Sequence, residues 1–98
     1  MIVAFSVAPA GGESDSVSVA VAEAVRVVRN SGLPYELNAM FTLIEGAWDE
    51  VMDVVRRAVD AAGAGASRTS LVLKADIRPG YTGQLRAKVE RVERQLAD

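Results

Sequence analysis

The sequence contains neither cysteine nor histidine. The first absence excludes disulfides, thiolate catalysis and cysteine-based zinc sites. The second removes a common haem and zinc ligand and the usual general base near neutral pH. A nucleophilic serine would have no imidazole to activate it. Aromatic residues are scarce, with one tryptophan, two tyrosines and two phenylalanines. An RNA-binding sheet stacks bases on aromatics of its central strands, and the candidates for that role are Phe5 and Phe41 alone. Positive charge is not in excess: 11 Lys and Arg against 13 Asp and Glu give a formal net charge of −2, so no nucleic-acid partner is expected. The apolar stretch Met1–Val7 is short and has no basic leader, so it reads as a first strand rather than a signal peptide or membrane span, and no membrane partner is expected. Gly11-Gly12 belongs to neither G-x-x-x-x-G-K-[ST] nor G-x-G-x-x-G, the phosphate-binding patterns. A chain without cysteine fits a cytoplasmic location, which is the expectation here.

Half of the 98 residues are hydrophobic and 24% are charged. That composition and length predict one soluble globular domain spanning residues 1–98. Ile2 to Ala8 is β-branched and apolar on both parities, as in a central strand. Ser14, Asp15 and Ser16 are N-cap candidates for a helix whose apolar face is Val17, Val21, Ala24 and Val28; Gly32 closes it and Pro34 prevents its continuation. Tyr35 to Gly46 reads as two short strands reversing near Asn38-Ala39-Met40, or as one bulged strand. Trp48, Val51 or Met52, Val55, Val59 and Ala62 mark a second amphipathic helix, ended by Gly63 and Gly65. Arg68 to Arg78 alternates as a strand with one face packed and the other open. After Pro79-Gly80, Thr82 is expected to cap a third helix whose apolar seam, Leu85, Val89, Val92 and Leu96, is too narrow to fill a core and suits a partner surface. The order β-α-β-β-α-β, then α, predicts an α+β ferredoxin-like βαββαβ sandwich: a four-stranded antiparallel sheet, two helices on one face, and an extra C-terminal helix.

The segment from Ser31 to Asp49 is too polar to be plain core. Asn38, Thr42 and Glu45 sit among apolar neighbours, with Trp48 close behind. Asn38 suits a turn and Thr42 suits a strand, but together they can oppose each other on one face and, with Glu45, hold a small polar ligand. Glu45 is either a ligand contact or a strand-end carboxylate, in water or salt-bridged to Arg68 or Arg78. Ser16 and Ser18, near the first helix start, serve as caps or as contacts at a ligand rim. Asp49, Glu50 and Asp53 read as helix-start and surface acids, and no metal site is expected. Trp48 is an anchor or a ligand wall.

The run Ser31-Gly32-Leu33-Pro34-Tyr35-Glu36-Leu37, then Met40-x-Thr42, then Ile44-Glu45-Gly46-x-Trp48-Asp49-Glu50-Val51, resembles the thiamine-binding protein family. Ser16-Val-Ser18 with Val21-Ala-Glu23, Arg68, and Lys74-x-Asp76-x-Arg78 fit the same pattern, so the resemblance spans essentially the whole chain. It implies a ferredoxin-like fold assembled into a homodimer or homotetramer, and the binding of thiamine or its hydroxymethylpyrimidine half without established catalysis or a cofactor. Two positions depart from the family pattern. Phe41 stands where a small residue is usual, and its phenyl group is able to fill or reshape the pocket. Asn38 stands where threonine is common. On this reading Asn38, Thr42 and Glu45 make polar contacts, Trp48 forms a wall and Ser16 or Ser18 lies near the rim. The competing expectations are a small oligomeric enzyme resting on Glu45, Tyr35 or Arg78, and a structural or regulatory oligomer with no ligand.

Overall fold

The computed structural model describes residues 1–11 and 17–97. The expected caps Ser14, Asp15 and Ser16 lie outside those residues. The elements run β1 (Ile2–Ala10), α1 (Val17–Asn30), β2 (Tyr35–Leu37), β3 (Thr42–Glu45), α2 (Trp48–Ala62), β4 (Arg68–Asp76) and α3 (Gln84–Leu96). The strands form one sheet in the order β2-β3-β1-β4, with every neighbouring pair antiparallel. This is the ferredoxin-like α+β arrangement with an added C-terminal helix.

Strand parity explains the core. Val3, Phe5 and Val7 of β1 point to one face, where Val3 pairs with Ile44 and Phe5 with Thr42. Helices α1 and α2 cover that face with Ala24, Val28, Val51, Val54, Val55, Ala58 and Ala62, and all of these are buried. Val25 and Val28 extend the buried stripe of α1, whereas Val17 at the helix start is half exposed. The valine-rich composition of α1 is poor for helix propensity, so its stability comes from this packed face. Gly32 takes a positive φ of 80° just after α1, as a helix-ending glycine does.

The β2–β3 connection is a tight hairpin rather than a bulged strand. The Asn38 N–H donates to the Phe41 carbonyl at 3.0 Å. Asn38 Oδ1 accepts the N–H groups of Met40 and Phe41 at 2.9 and 2.8 Å, so its side chain substitutes for backbone turn partners.

The opposite face carries α3, and only at one end. Leu85 is buried, but Val89, Val92 and Leu96, the rest of the expected seam, are all more than half exposed. The molecule is accordingly elongated, with extents of 51 × 30 × 20 Å. β4 ends at Asp76, two residues earlier than the alternation alone suggests, because the chain turns into Pro79-Gly80 and the Tyr81 N–H bonds the Arg78 carbonyl.

Candidate functional site

The structure separates the expected site residues into two places. Thr42 and Glu45 are three apart on one strand, so they point to opposite faces of the sheet. Thr42 is paired with Phe5 on the helix-covered side, and Glu45 is paired with Ile2 on the other. The sheet of one copy therefore does not bring Thr42 and Glu45 to the same face.

The first place is a cleft of about 140 Å³ between α1 and the β2–β3 hairpin. Val21 and Val25 of α1 form one wall; Leu37, Met40 and Phe41 form another; Phe5 and Thr42 lie on the sheet side. Thr42 is 7% exposed. No hydrogen bond among the described residues occupies its hydroxyl, and no buried side-chain polar atom there is left unsatisfied. Thr42 is one of the residues that line the cleft. Asn38 also lines this cleft. Its oxygen is committed to the hairpin turn, which leaves the amide NH2 as the group it can offer. Ser18 stands one helical turn before Val21 and so shares its side of α1. Ser16 lies outside the described residues.

The second place is an open cleft of about 500 Å³ between the start of α2 and the β4–α3 connection, bordered by Trp48, Glu50, Ile77, Arg78 and Tyr81. Trp48 is 55% exposed there. The Arg78 guanidinium stacks over the Tyr81 ring at 3.5 Å from its centroid, a contact that sequence patterning gave no means of pairing. Glu45 reaches this region but is committed. Its Oε2 accepts the Gln84 N–H at 2.9 Å and its Oε1 accepts the Leu85 N–H at 3.2 Å. The carboxylate caps α3 from across the fold, at the helix end where negative charge is favoured. This replaces the expected Thr82 cap. Gly83, the residue before the helix, has a left-handed φ of 67°, and Glu45 ion-pairs with neither Arg68 nor Arg78 among the described residues. Nearby, Lys88 bonds Asp76 at 2.5 Å, and that hydrogen bond holds the Asp76 carboxyl below its ordinary value.

The remaining acids behave as surface groups. Glu50 Oε1 accepts the Ala47 N–H at 3.3 Å at the start of α2. Arg56 and Arg57 both bond Asp53 and lower its carboxyl pKa. No group of three or more acids is placed to hold a metal among the described residues. No helix there is long and apolar enough to cross a membrane.

Fold and cleft together define a ferredoxin-like α+β protein with a small, mostly apolar recess between its first helix and the β2–β3 hairpin. The thiamine-binding protein family matches residues 3–93, and the chain belongs to that family. A UPF0045 protein of Mycobacterium bovis is 55% identical over 97 residues, covering 98% of this chain and 94% of the relative. Among solved structures, a hypothetical protein from Methanocaldococcus jannascii superposes with a TM-score of 0.83 at 28% identity, over 94% of each chain. A candidate thiamine biosynthesis/salvage protein from Thermotoga maritima superposes with a TM-score of 0.74 at 26% identity, over 92% of this chain and 97% of that one.

Proposed function

We propose that this chain, as a single domain over residues 1–98, binds thiamine or its hydroxymethylpyrimidine half without transforming it, as a cytoplasmic homo-oligomer. The observation that carries the reading is the placement of Thr42, a buried polar residue without a hydrogen bond among the described residues, in the lining of the apolar-walled cleft beside α1. Small-ligand sites combine apolar walls with a few fixed polar groups. An aminopyrimidine presents a donor and acceptor edge, which the Thr42 hydroxyl and the Asn38 amide match; Ser18 is the proposed rim contact, and the same role for Ser16 falls outside the described residues. A space of about 140 Å³ holds one substituted ring, being about five times the ~30 Å³ a water occupies in the liquid. The pyrimidine enters and the thiazolium stays outside, where the net charge of −2 favours a cation.

Binding without catalysis is supported by the state of the groups an enzyme reading would use. Glu45 caps α3, the Tyr35 hydroxyl accepts from Arg29 Nε at 3.0 Å, and Arg78 stacks on Tyr81. The exposed Val89, Val92 and Leu96 of α3 support an oligomer, because an apolar stripe on a surface helix favours a partner.

Isothermal calorimetry with hydroxymethylpyrimidine and with thiamine tests the reading. Saturable binding that weakens about tenfold in Thr42→Val, the value of roughly one hydrogen bond, is expected. No binding of either compound at millimolar concentration overturns it.

A further inference from the structure

The connection from β4 to α3 holds a cation that nothing in the fold uses. Arg78-Pro79-Gly80-Tyr81 is a tight turn, closed by the Tyr81 N–H to the Arg78 carbonyl at 3.3 Å. Proline at its second position and glycine at its third, with a φ of 83° at Gly80, are what a type II turn asks for. The turn brings its first and last residues side by side, and the Arg78 guanidinium lies 3.5 Å from the centroid of the Tyr81 ring. A guanidinium stacked by its face keeps its N–H groups free, because they lie in its plane. The Arg78 side chain makes no hydrogen bond or ion pair with an acid among the described residues. The acids that line the same clefts are engaged elsewhere. Glu45 accepts the Gln84 and Leu85 N–H groups, Glu50 accepts the Ala47 N–H, and Asp76 is paired with Lys88.

The open cleft that Arg78 borders also has Trp48 and Ile77 in its walls, 55% and 59% exposed. Its volume of about 500 Å³ falls within the roughly 300–1,000 Å³ of small-molecule sites, which join apolar walls to a few fixed polar groups. We infer that this cleft binds a small aromatic anion: a planar ring carrying a carboxylate or a phosphate ester. The ring lies against Trp48 and Ile77, and the anionic group sits on the Arg78 fork. A guanidinium presents paired N–H groups that match two oxygens of either anion, and the stack on Tyr81 holds that fork in place before the ligand arrives. A cationic ligand is disfavoured, because Arg78 repels it and already covers the Tyr81 face that a cation would use. An uncharged ring leaves the guanidinium without a partner, so hydroxymethylpyrimidine does not compete for this cleft. The site is distinct from the cleft beside α1, with which it shares no lining residue.

Chemical-shift mapping with phenyl phosphate and with phenylacetate tests the inference, the two probes separating phosphate from carboxylate. Trp48 is the only tryptophan, so its indole N–H is a single unambiguous reporter. Saturable shifts at that indole and at the Tyr81 amide, with Thr42 unmoved, are expected for at least one probe at millimolar concentration. Inorganic phosphate, which has no ring, and benzyl alcohol, which has no charge, should each bind about tenfold more weakly or not at all. Arg78→Gln should weaken binding about tenfold or more, through the loss of charge-assisted hydrogen bonds. Trp48→Ala, followed at the Tyr81 amide, should weaken it about fivefold, the value of one aromatic contact. Both residues are exposed, and an otherwise unchanged spectrum shows that each variant is folded. No shift at Trp48 and Tyr81 with either probe overturns the site. So does benzyl alcohol binding as tightly as the anions, or binding undiminished in Arg78→Gln. Hydroxymethylpyrimidine is read at Val21 and Thr42, so failure at one cleft is told apart from failure at the other.

Discussion

Replacing Glu45 with alanine should release the start of α3 and leave the candidate cleft beside α1 intact. The carboxylate is 5% exposed and accepts two backbone N–H groups that have no partner within the helix. Hydrogen bonds to a charged group contribute ~1.5–3 kcal/mol each. Taking the low end for both, because the Gln84 bond is only part-buried, gives a loss of about 3 kcal/mol. Glu45→Gln keeps one acceptor and should cost about half as much. Because α3 is anchored mainly by Glu45, Leu85 and the Lys88–Asp76 pair, much of the loss should appear as local opening. Native-state hydrogen exchange reads that directly, and exchange at the Gln84 and Leu85 amides is expected to rise about a hundredfold in Glu45→Ala, the factor that about 3 kcal/mol implies. Binding of hydroxymethylpyrimidine should stay within twofold of the unmodified protein. Unchanged exchange at those amides, combined with loss of binding, would refute the assignment of Glu45 to the helix and return it to the ligand.

Asn38→Ala removes two turn hydrogen bonds and should lower stability by about 1–2 kcal/mol in urea titration, since neutral bonds contribute ~0.5–1.5 kcal/mol each. Ile44→Ala empties a fully buried position at the centre of the core and should lose ~2–5 kcal/mol in the same titration. The Lys88 hydrogen bond lowers the Asp76 carboxyl below 3.8 in the folded protein. The stability it contributes is therefore present above about pH 4 and lost as pH falls through the lowered value. Melting temperature followed between pH 5 and pH 2 should fall less steeply for Asp76→Asn than for the unmodified protein.

Much of the fold was legible because period and punctuation agreed. The β-branched run of β1, the Gly32–Pro34 stop after α1 and the alternation of β4 each point to one element and to one place in a ferredoxin-like order. The hairpin at Asn38 was legible for the same reason, since asparagine there carries its own turn chemistry. The candidate site was legible only in part. Asn38 and Thr42 do share a cleft, and its walls, Val21, Val25 and Met40, are ordinary apolar residues that no motif marks. The capping role of Glu45 was not legible because its partners, the Gln84 and Leu85 amides, lie about 40 residues away, and a backbone N–H leaves no mark in a sequence. Strand parity carried a usable warning, because residues three apart on a strand cannot share a face. Trp48, the first residue of α2, is exposed, whereas Val51 one turn later is fully buried.

Chemical-shift mapping of the uniformly labelled protein during titration with hydroxymethylpyrimidine tests the central claim most directly. Binding in the cleft under α1 predicts shifts concentrated at Val21, Val25, Asn38, Met40, Phe41 and Thr42, with the Trp48 indole unmoved. Shifts centred on Trp48, Arg78 and Tyr81, or none at saturating ligand, would contradict it.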